Sequence, residues 1–211
     1  MGALVVQQII DALESLISGN QKLAKNVIKK DHLVNGLEVQ VDEDCSHIIA
    51  RRQPTAGDLR MVLMMIKTIT DLERIGDEAT KIARFALKAS ESTQKLTPRF
   101  VEIKAMANTA RNMLHMALDA FARSDATKVI AIAHMDEEVD EQYQAAIRQL
   151  ITFMLEDPRT ISISLEVLFL AKAVERIGDH AKNISEYVVY MVKGKDVRHI
   201  SMEEMEETAK D

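Results

Sequence analysis

The feature that most constrains the fold is an internal repeat. Glu73-Arg74-Ile75-Gly76-Asp77 recurs as Glu175-Arg176-Ile177-Gly178-Asp179, 102 residues later in a chain of 211. The correspondence continues with Lys81-Ile82-Ala83 facing Asn183-Ile184-Ser185. Upstream the offset becomes 105: Ala12-Leu13 matches Ala117-Leu118, Asn20 matches Asp125, Asp31 matches Asp136, and Val34-Asn35 matches Val139-Asp140. The change of offset implies a three-residue deletion in the second copy, in the connections near Pro54 and Pro158. Two like halves are therefore expected, at 1–93 and 98–200, joined near Ser92–Pro98 and followed by an acidic tail at 201–211.

The repeated unit reads as all-α. With 3 prolines and 7 glycines the chain lacks the frequent breakers that a β-sandwich or barrel needs. An apolar content of 47% argues against disorder. The first half is expected to hold helices at about Leu4–Ile17, from an Asn20 cap to near Lys30, at Asp31–Arg52, and from Ala56–Asp58 to about Ser90. The second half repeats the plan at about Arg99–Arg123, Ala126–His134, Asp136–Glu156 and Ser162–Lys193. Beyond Gly194 a short helix or frayed end is expected.

The long third helix of each half carries a heptad stripe. Ile163, Val167, Leu170, Val174, Ile177, Ala181, Ile184, Val188 and Met191 step by four and three residues, as a bundle seam does. The counterpart is Met61, Met65, Thr68, Leu72, Ile75, Ala79, Ile82 and Ala86. Methionine and leucine at this spacing are core positions.

Against that stripe the repeated acids stand out. Glu73 and Asp77 are four residues apart and share a helix face, about 160° from the Ile75 seam at 100° per residue. Glu175 and Asp179 repeat the arrangement. They are expected to face away from the core, where most carboxylates are merely solvated. Three features favour binding instead. Like charges at this spacing repel, and the arrangement occurs twice. Gly76 and Gly178 sit mid-helix, where each costs about 1 kcal/mol against Ala unless something approaches the backbone closely. The same face is apolar in the preceding turns, at Leu59, Val62, Ile66 and Ile69, and at Ile161, Leu165, Leu168 and Ala171.

Oxygen ligands at helical spacing suit hard cations, that is Mg²⁺, Ca²⁺, Mn²⁺ or iron. Two carboxylates alone make a weak site, so a third is expected from a neighbouring helix. Asp140 is the candidate, and its counterpart Asn35 is a poorer ligand. Arg74 and Arg176 are expected to pair with carboxylates of another helix, in preference to contacting an anion.

Other chemistry is sparse. No histidine has Glu three residues before it, which argues against a carboxylate-bridged di-iron oxidase. The glycines are scattered, so no phosphate loop is present. A lone Cys45 cannot make an internal disulfide, which favours a reducing compartment. The formal net charge of −6 argues against nucleic-acid binding. No apolar run reaches membrane-spanning length and no signal peptide is visible, so a soluble cytoplasmic protein is expected.

At these residues the chain resembles the PhoU family of phosphate-signalling regulators. Arg51-Arg52-Gln53-Pro54-Thr55-Ala56-Gly57-Asp58-Leu59-Arg60 is similar to the segment that opens the family's third helix. Lys67 and Asp71-Leu72-Glu73-Arg74-Ile75-Gly76-Asp77 resemble its first signature, and Glu175-Arg176-Ile177-Gly178-Asp179-His180-Ala181-Lys182-Asn183-Ile184 its second. The resemblance spans essentially the whole chain. It implies two similar three-helix bundles side by side, with divalent or iron-type metal ions bound by Glu73, Asp77, Glu175 and Asp179. It also implies a non-enzymatic negative regulator of the phosphate-starvation response, linking the phosphate ABC transporter to a membrane sensor histidine kinase, cytoplasmic and homodimeric. Arg74, Arg176, Asp71 and Lys67 are the partner-binding candidates. Many relatives carry Asp in place of Asn35, and Asp71 is matched by Ala173, so the two faces are not equivalent. The first helix looks shortened relative to the family. A metal-binding structural oligomer is the alternative. A metal-dependent phosphohydrolase would need a nucleophile or base, and the sequence offers none.

Overall fold

The computed structural model describes residues 1–91 and 100–210; the expected junction at Ser92–Pro98 lies outside them. Seven α-helices are described: α1 Gly2–Ser18, α2 Gln21–Arg52, α3 Ala56–Glu91, α4 Phe100–Arg123, α5 Val129–Glu156, α6 Ile161–Lys193 and α7 Met202–Lys210. Helices α1–α3 form one three-helix bundle and α4–α6 a second. The bundles meet where α3 packs on α6 and α1 on α4. The two tandem bundles share one core, in which Ile9, Ile75 and Ile82 of the first are continuous with Ile132, Ile177 and Ile184 of the second.

The heptad stripe explains this packing. On α6 every member from Val167 to Met191 is buried. On α3 the stripe is buried from Thr68 to Ala86, but Met61 is exposed and Met65 only half-buried, because near its start α3 buries a different face, with Met64 packed against Ala120 of α4 and Val188 and Met191 of α6. The alternate face departs from expectation in the other direction. Val62, Ile69 and Ala171 are buried, so the supposed outward apolar face is partly interior.

Two expected breaks do not occur. Asp31 does not start a new helix: α2 runs unbroken from Gln21, and Asp31 Oδ1 instead accepts from Thr80 Oγ1 of α3 at 3.0 Å. Its counterpart Asp136 is likewise mid-helix in α5, buried and paired with Lys182. The second copy breaks earlier. Asp125 Oδ1 accepts from the Thr127 amide at 2.9 Å and caps a single 3-10 turn, Ala126–Lys128, ahead of α5. The Asn20 cap is present, its Oδ1 accepting from the Leu23 amide at 3.2 Å.

The tail is a defined helix. Gly194 ends α6 in the left-handed region at φ 73°. Val197 and Met205 then enter a small core with Ala126, Val129, Ala133 and Val189. Ser201 and Glu204 form a reciprocal capping box that starts α7. Among the described residues no helix is long and apolar enough to cross a membrane.

Candidate metal centre

Each repeated glycine lets a neighbouring helix come close. A Cβ on Gly76 would lie 3.2 Å from Gln8 Oε1 of α1 and 3.5 Å from Val34 of α2. A Cβ on Gly178 would meet Met113 of α4 and Val139 of α5 at 3.6–3.7 Å. The glycines thus face the bundle interior, and helix-to-helix approach accounts for them without a ligand. The approach of α5 brings Asp140, one turn beyond Asp136, alongside the acids of α6.

Asp140, Glu175 and Asp179 converge. One ligand oxygen from each lies within 4.8 Å of the others. This corrects the expectation that both acids of α6 face outward. Glu175 is buried, with 8% of its surface exposed, and Asp179 is intermediate. The physical reason is that α5 covers this flank of α6. Glu175 Oε2 is buried without a hydrogen-bond partner, while Oε1 accepts from Lys172 Nζ at 2.5 Å. A buried carboxylate oxygen left unpaired costs free energy that a cation would recover.

The electrostatics agree. Burial raises the Asp179 carboxyl to about 6, with the charges of Glu175 and Asp136 adding to the effect. Asp140 is raised by burial and by Asp136 and Glu175. Lys172 loses some proton affinity to burial, but its bond to Glu175 and the charges of Glu175 and Asp179 more than restore it. Lys182 Nζ donates to Asp136 Oδ2 at 2.8 Å. A cavity of about 630 Å³ opens beside the site, bordered by Arg176, Asp179, His180, Lys182 and Arg198, which lies between α6 and α7. An all-oxygen donor set with one orphaned buried oxygen fits a hard divalent cation.

The first copy is built differently. Glu73 is half-buried and Asp77 exposed. Burial raises the Glu73 carboxyl, as do Asp77, Glu38 and Asp31, while Arg74 opposes them. Asn35 stands where Asp140 would be. Among the described residues, only the second copy brings three possible ligand atoms together.

The other four candidates occupy different environments. Arg74 is exposed. Arg176 Nε lies 3.3 Å from the buried Glu78 of α3, which also accepts from Lys81 at 2.9 Å. Lys67 Nζ stands 5.5 Å from the centre of the Tyr187 ring. Asp71 is buried between the bundles, its Oδ1 2.6 Å from His180 Nδ1 and 3.4 Å from Asn183 Nδ2.

Sequence reasoning passed over Lys172, Lys182 and Asp136. Their signal was present: lysines three residues before Glu175 and three after Asp179 lie just under one helical turn from the acids.

Comparison with known proteins bears on the family and the fold. The PhoU domain matches residues 1–86 and again 103–188. The chain is 48% identical over 206 residues to a phosphate-specific transport system accessory protein PhoU homolog of Pseudomonas putida, covering 97% of this chain and 80% of that protein. It is 46% identical over 206 residues to the phosphate-specific transport system accessory protein PhoU of Escherichia coli strain K12, covering 98% and 85%. The crystal structure of PhoU from Pseudomonas aeruginosa aligns with a TM-score of 0.88 at 44% identity, over 92% of this chain and 93% of that one. The phosphate transport system regulatory protein PhoU from Streptococcus pneumoniae aligns at 0.84 and 31% identity, over 93% and 91%. With the doubled domain, the two bundles and relatives matched along most of their length, the chain belongs to the PhoU family, one of non-enzymatic accessory and regulatory proteins.

Proposed function

We propose that this chain regulates phosphate transport as an accessory protein of a phosphate-specific transport system. The observation that carries the reading is the identity of 46–48%, along nearly all of this chain, to proteins of that name on the same doubled fold. In the finer form of the proposal, the chain is a cytoplasmic adaptor between the phosphate ABC transporter and a sensor histidine kinase. It acts as a negative regulator of the phosphate-starvation response and as a homodimer. The units 1–93 and 98–200 are its two repeats and 201–211 its tail.

The residue assignments belong to the same proposal. Asp140, Glu175 and Asp179 hold a divalent or iron-type cation, and Glu73 with Asp77 offers a weaker second position. When bound, the cation would neutralise these carboxylates and offer open coordination positions to an oxygen ligand from a partner. Arg74 is the partner-facing charge supported by its exposure. Arg176 of α6, with Asp71 and Lys67 of α3, adjoins it where the two helices meet and completes the partner-binding set.

The test is co-purification of the intact chain with the transporter ATPase and the kinase, with and without phosphate in the medium. Capture of both in phosphate-rich cells is expected. Capture of neither would overturn the adaptor reading. If Glu175→Gln plus Asp179→Asn leaves capture unchanged, the cation plays no part in it.

A further inference from the structure

Among the described residues, the buried carboxylates are Asp71, Glu78, Asp136, Glu175 and Glu186. All but the last are paired. Asp71 faces His180, Glu78 takes both Lys81 and Arg176, Asp136 holds Lys182, and Glu175 accepts from Lys172. Glu186, with 8% of its surface exposed, has neither a hydrogen bond nor an ion pair. A buried carboxylate without a donor is costly, and native chains satisfy nearly all such groups. Burial accordingly raises this carboxyl to about 7. The first repeat has Arg84 at the corresponding position, so the acid belongs to the second half alone.

Glu186 borders open space on two sides. It lines the cavity of about 630 Å³ beside the acidic cleft and a second one, of about 310 Å³, between the start of α3 and the end of α6. Leu63, Met64, Ile66 and the rings of Tyr187 and Tyr190 wall the second cavity. The cations nearby are engaged elsewhere. Lys67 Nζ rests 5.5 Å from the centre of the Tyr187 ring. Arg198 donates to Asp196 through Nε at 2.9 Å and Nη2 at 2.5 Å, and Lys182 donates to Asp136. Asp71 bears on the pocket from behind Tyr187. With histidine counted as neutral, Lys67 and Arg198 therefore stand against three carboxylates, those of Asp71, Asp196 and Glu186. The pocket is one positive charge short.

We propose that the smaller cavity receives an arginine side chain of a partner polypeptide, its guanidinium paired with Glu186 and its methylene stem laid along Leu63, Met64 and Ile66. Neither oxygen of Glu186 is engaged, and a planar guanidinium takes a carboxylate through two parallel bonds where an ammonium offers a point charge. Aromatic faces suit the same group, and with Lys67 on Tyr187 the ring of Tyr190 remains for it. A volume of about 310 Å³ is at the lower end for small-molecule pockets, which suits one side chain better than a cofactor. This site is separate from the acidic cleft and does not depend on a metal.

The test is titration of the peptide acetyl-Gly-Arg-Gly-amide into the full chain labelled with ¹³C-methyl methionine, read by NMR at the Met64 methyl at about pH 8, where Glu186 is ionised. A saturable shift is expected. The same peptide with citrulline, the neutral isostere of arginine, should bind about tenfold more weakly or worse, and E186Q should weaken the arginine peptide by as much. The citrulline arm uses the wild-type chain, so it decides the matter even if E186Q folds poorly. A Met64 methyl that does not move, or equal binding of the citrulline peptide, would overturn the proposal, as would undiminished binding to a folded E186Q. Free L-arginine binding more tightly than the peptide would put an amino acid in the cavity in place of a polypeptide and overturn it likewise. D140N should leave the Met64 shift intact; its loss there would move the arginine to the acidic cleft and also overturn the proposal.

Discussion

His180 Nδ1 lies 2.6 Å from Asp71 Oδ1, joining α6 of the second bundle to α3 of the first across 109 residues of sequence. Both residues are buried where the bundles meet. Removing one partner of such a pair leaves the other desolvated and poorly matched. H180A should therefore cost about 2–3 kcal/mol of stability. A double-mutant cycle with D71A, read by urea unfolding, should give a coupling above about 1 kcal/mol. Simple additivity would show that the contact contributes nothing to the junction.

The two repeated glycines should answer differently to alanine. Helix propensity favours each substitution by about 1 kcal/mol. At Gly178 the added methyl would meet Met113 and Val139 at ordinary contact distance, so G178A should be neutral to stabilising. At Gly76 it would press on Gln8 Oε1 at 3.2 Å, and Gln8 is itself buried. G76A should thus melt below G178A. The reverse order in a thermal scan would mean that the α1 side of the first bundle yields freely.

Acidic pH should stabilise the metal-free protein locally. Burial raises Asp179 to about 6 and Glu186 to about 7, so the folded chain holds these protons more tightly than the unfolded one. Stability from both groups then falls as pH rises from about 4 to about 7, and the relief is complete below the unfolded values. D179N removes one ionisation. It should raise stability by about 1 kcal/mol at pH 7.5, after allowance for solvent screening, and have little effect at pH 4.5. Equal effects at the two pH values would show that Asp179 titrates normally. Mn²⁺ should raise the melting temperature of the wild type and leave that of D179N unchanged.

Substitution of Arg74 should separate partner binding from folding. Its side chain is exposed, and surface substitutions of this kind stay within about 0.5 kcal/mol. R74E should therefore fold and melt like the wild type while losing capture of the kinase or the transporter ATPase. Retained capture would remove Arg74 from the docking surface.

Much of the architecture is legible in the sequence because a heptad stripe and a doubled motif are periodic signals. The spacing of Val167 to Met191 is enough to mark the α6 seam, and the Glu175–Asp179 pair locates the cleft. The helix-wheel argument fails at Glu175 because it knows one seam per helix. Helix α6 has several packed flanks, toward α3, α4 and α5. A wheel sees that Glu175 points away from Ile177, but not that α5 lies on that side. The same limit hides Asp71, a polar residue whose burial depends on His180 from the other half of the chain. Asp31 and Asp136 look like helix caps because capping chemistry and buried pairing use the same residue types, and only the partners Thr80 and Lys182 distinguish them.

Asp179 and His180 are consecutive, so the acidic cleft and the bolt between the halves occupy neighbouring flanks of one rod. A helix of 33 residues is stiff along its length, and one residue is a turn of about 100°. A load that draws Asp179 toward α5 acts on the helix as a torque, with His180 as the first tooth to feel it. The chain has thereby placed its acidic recess and its inter-bundle catch on a common axle, with no linker between them to absorb the motion.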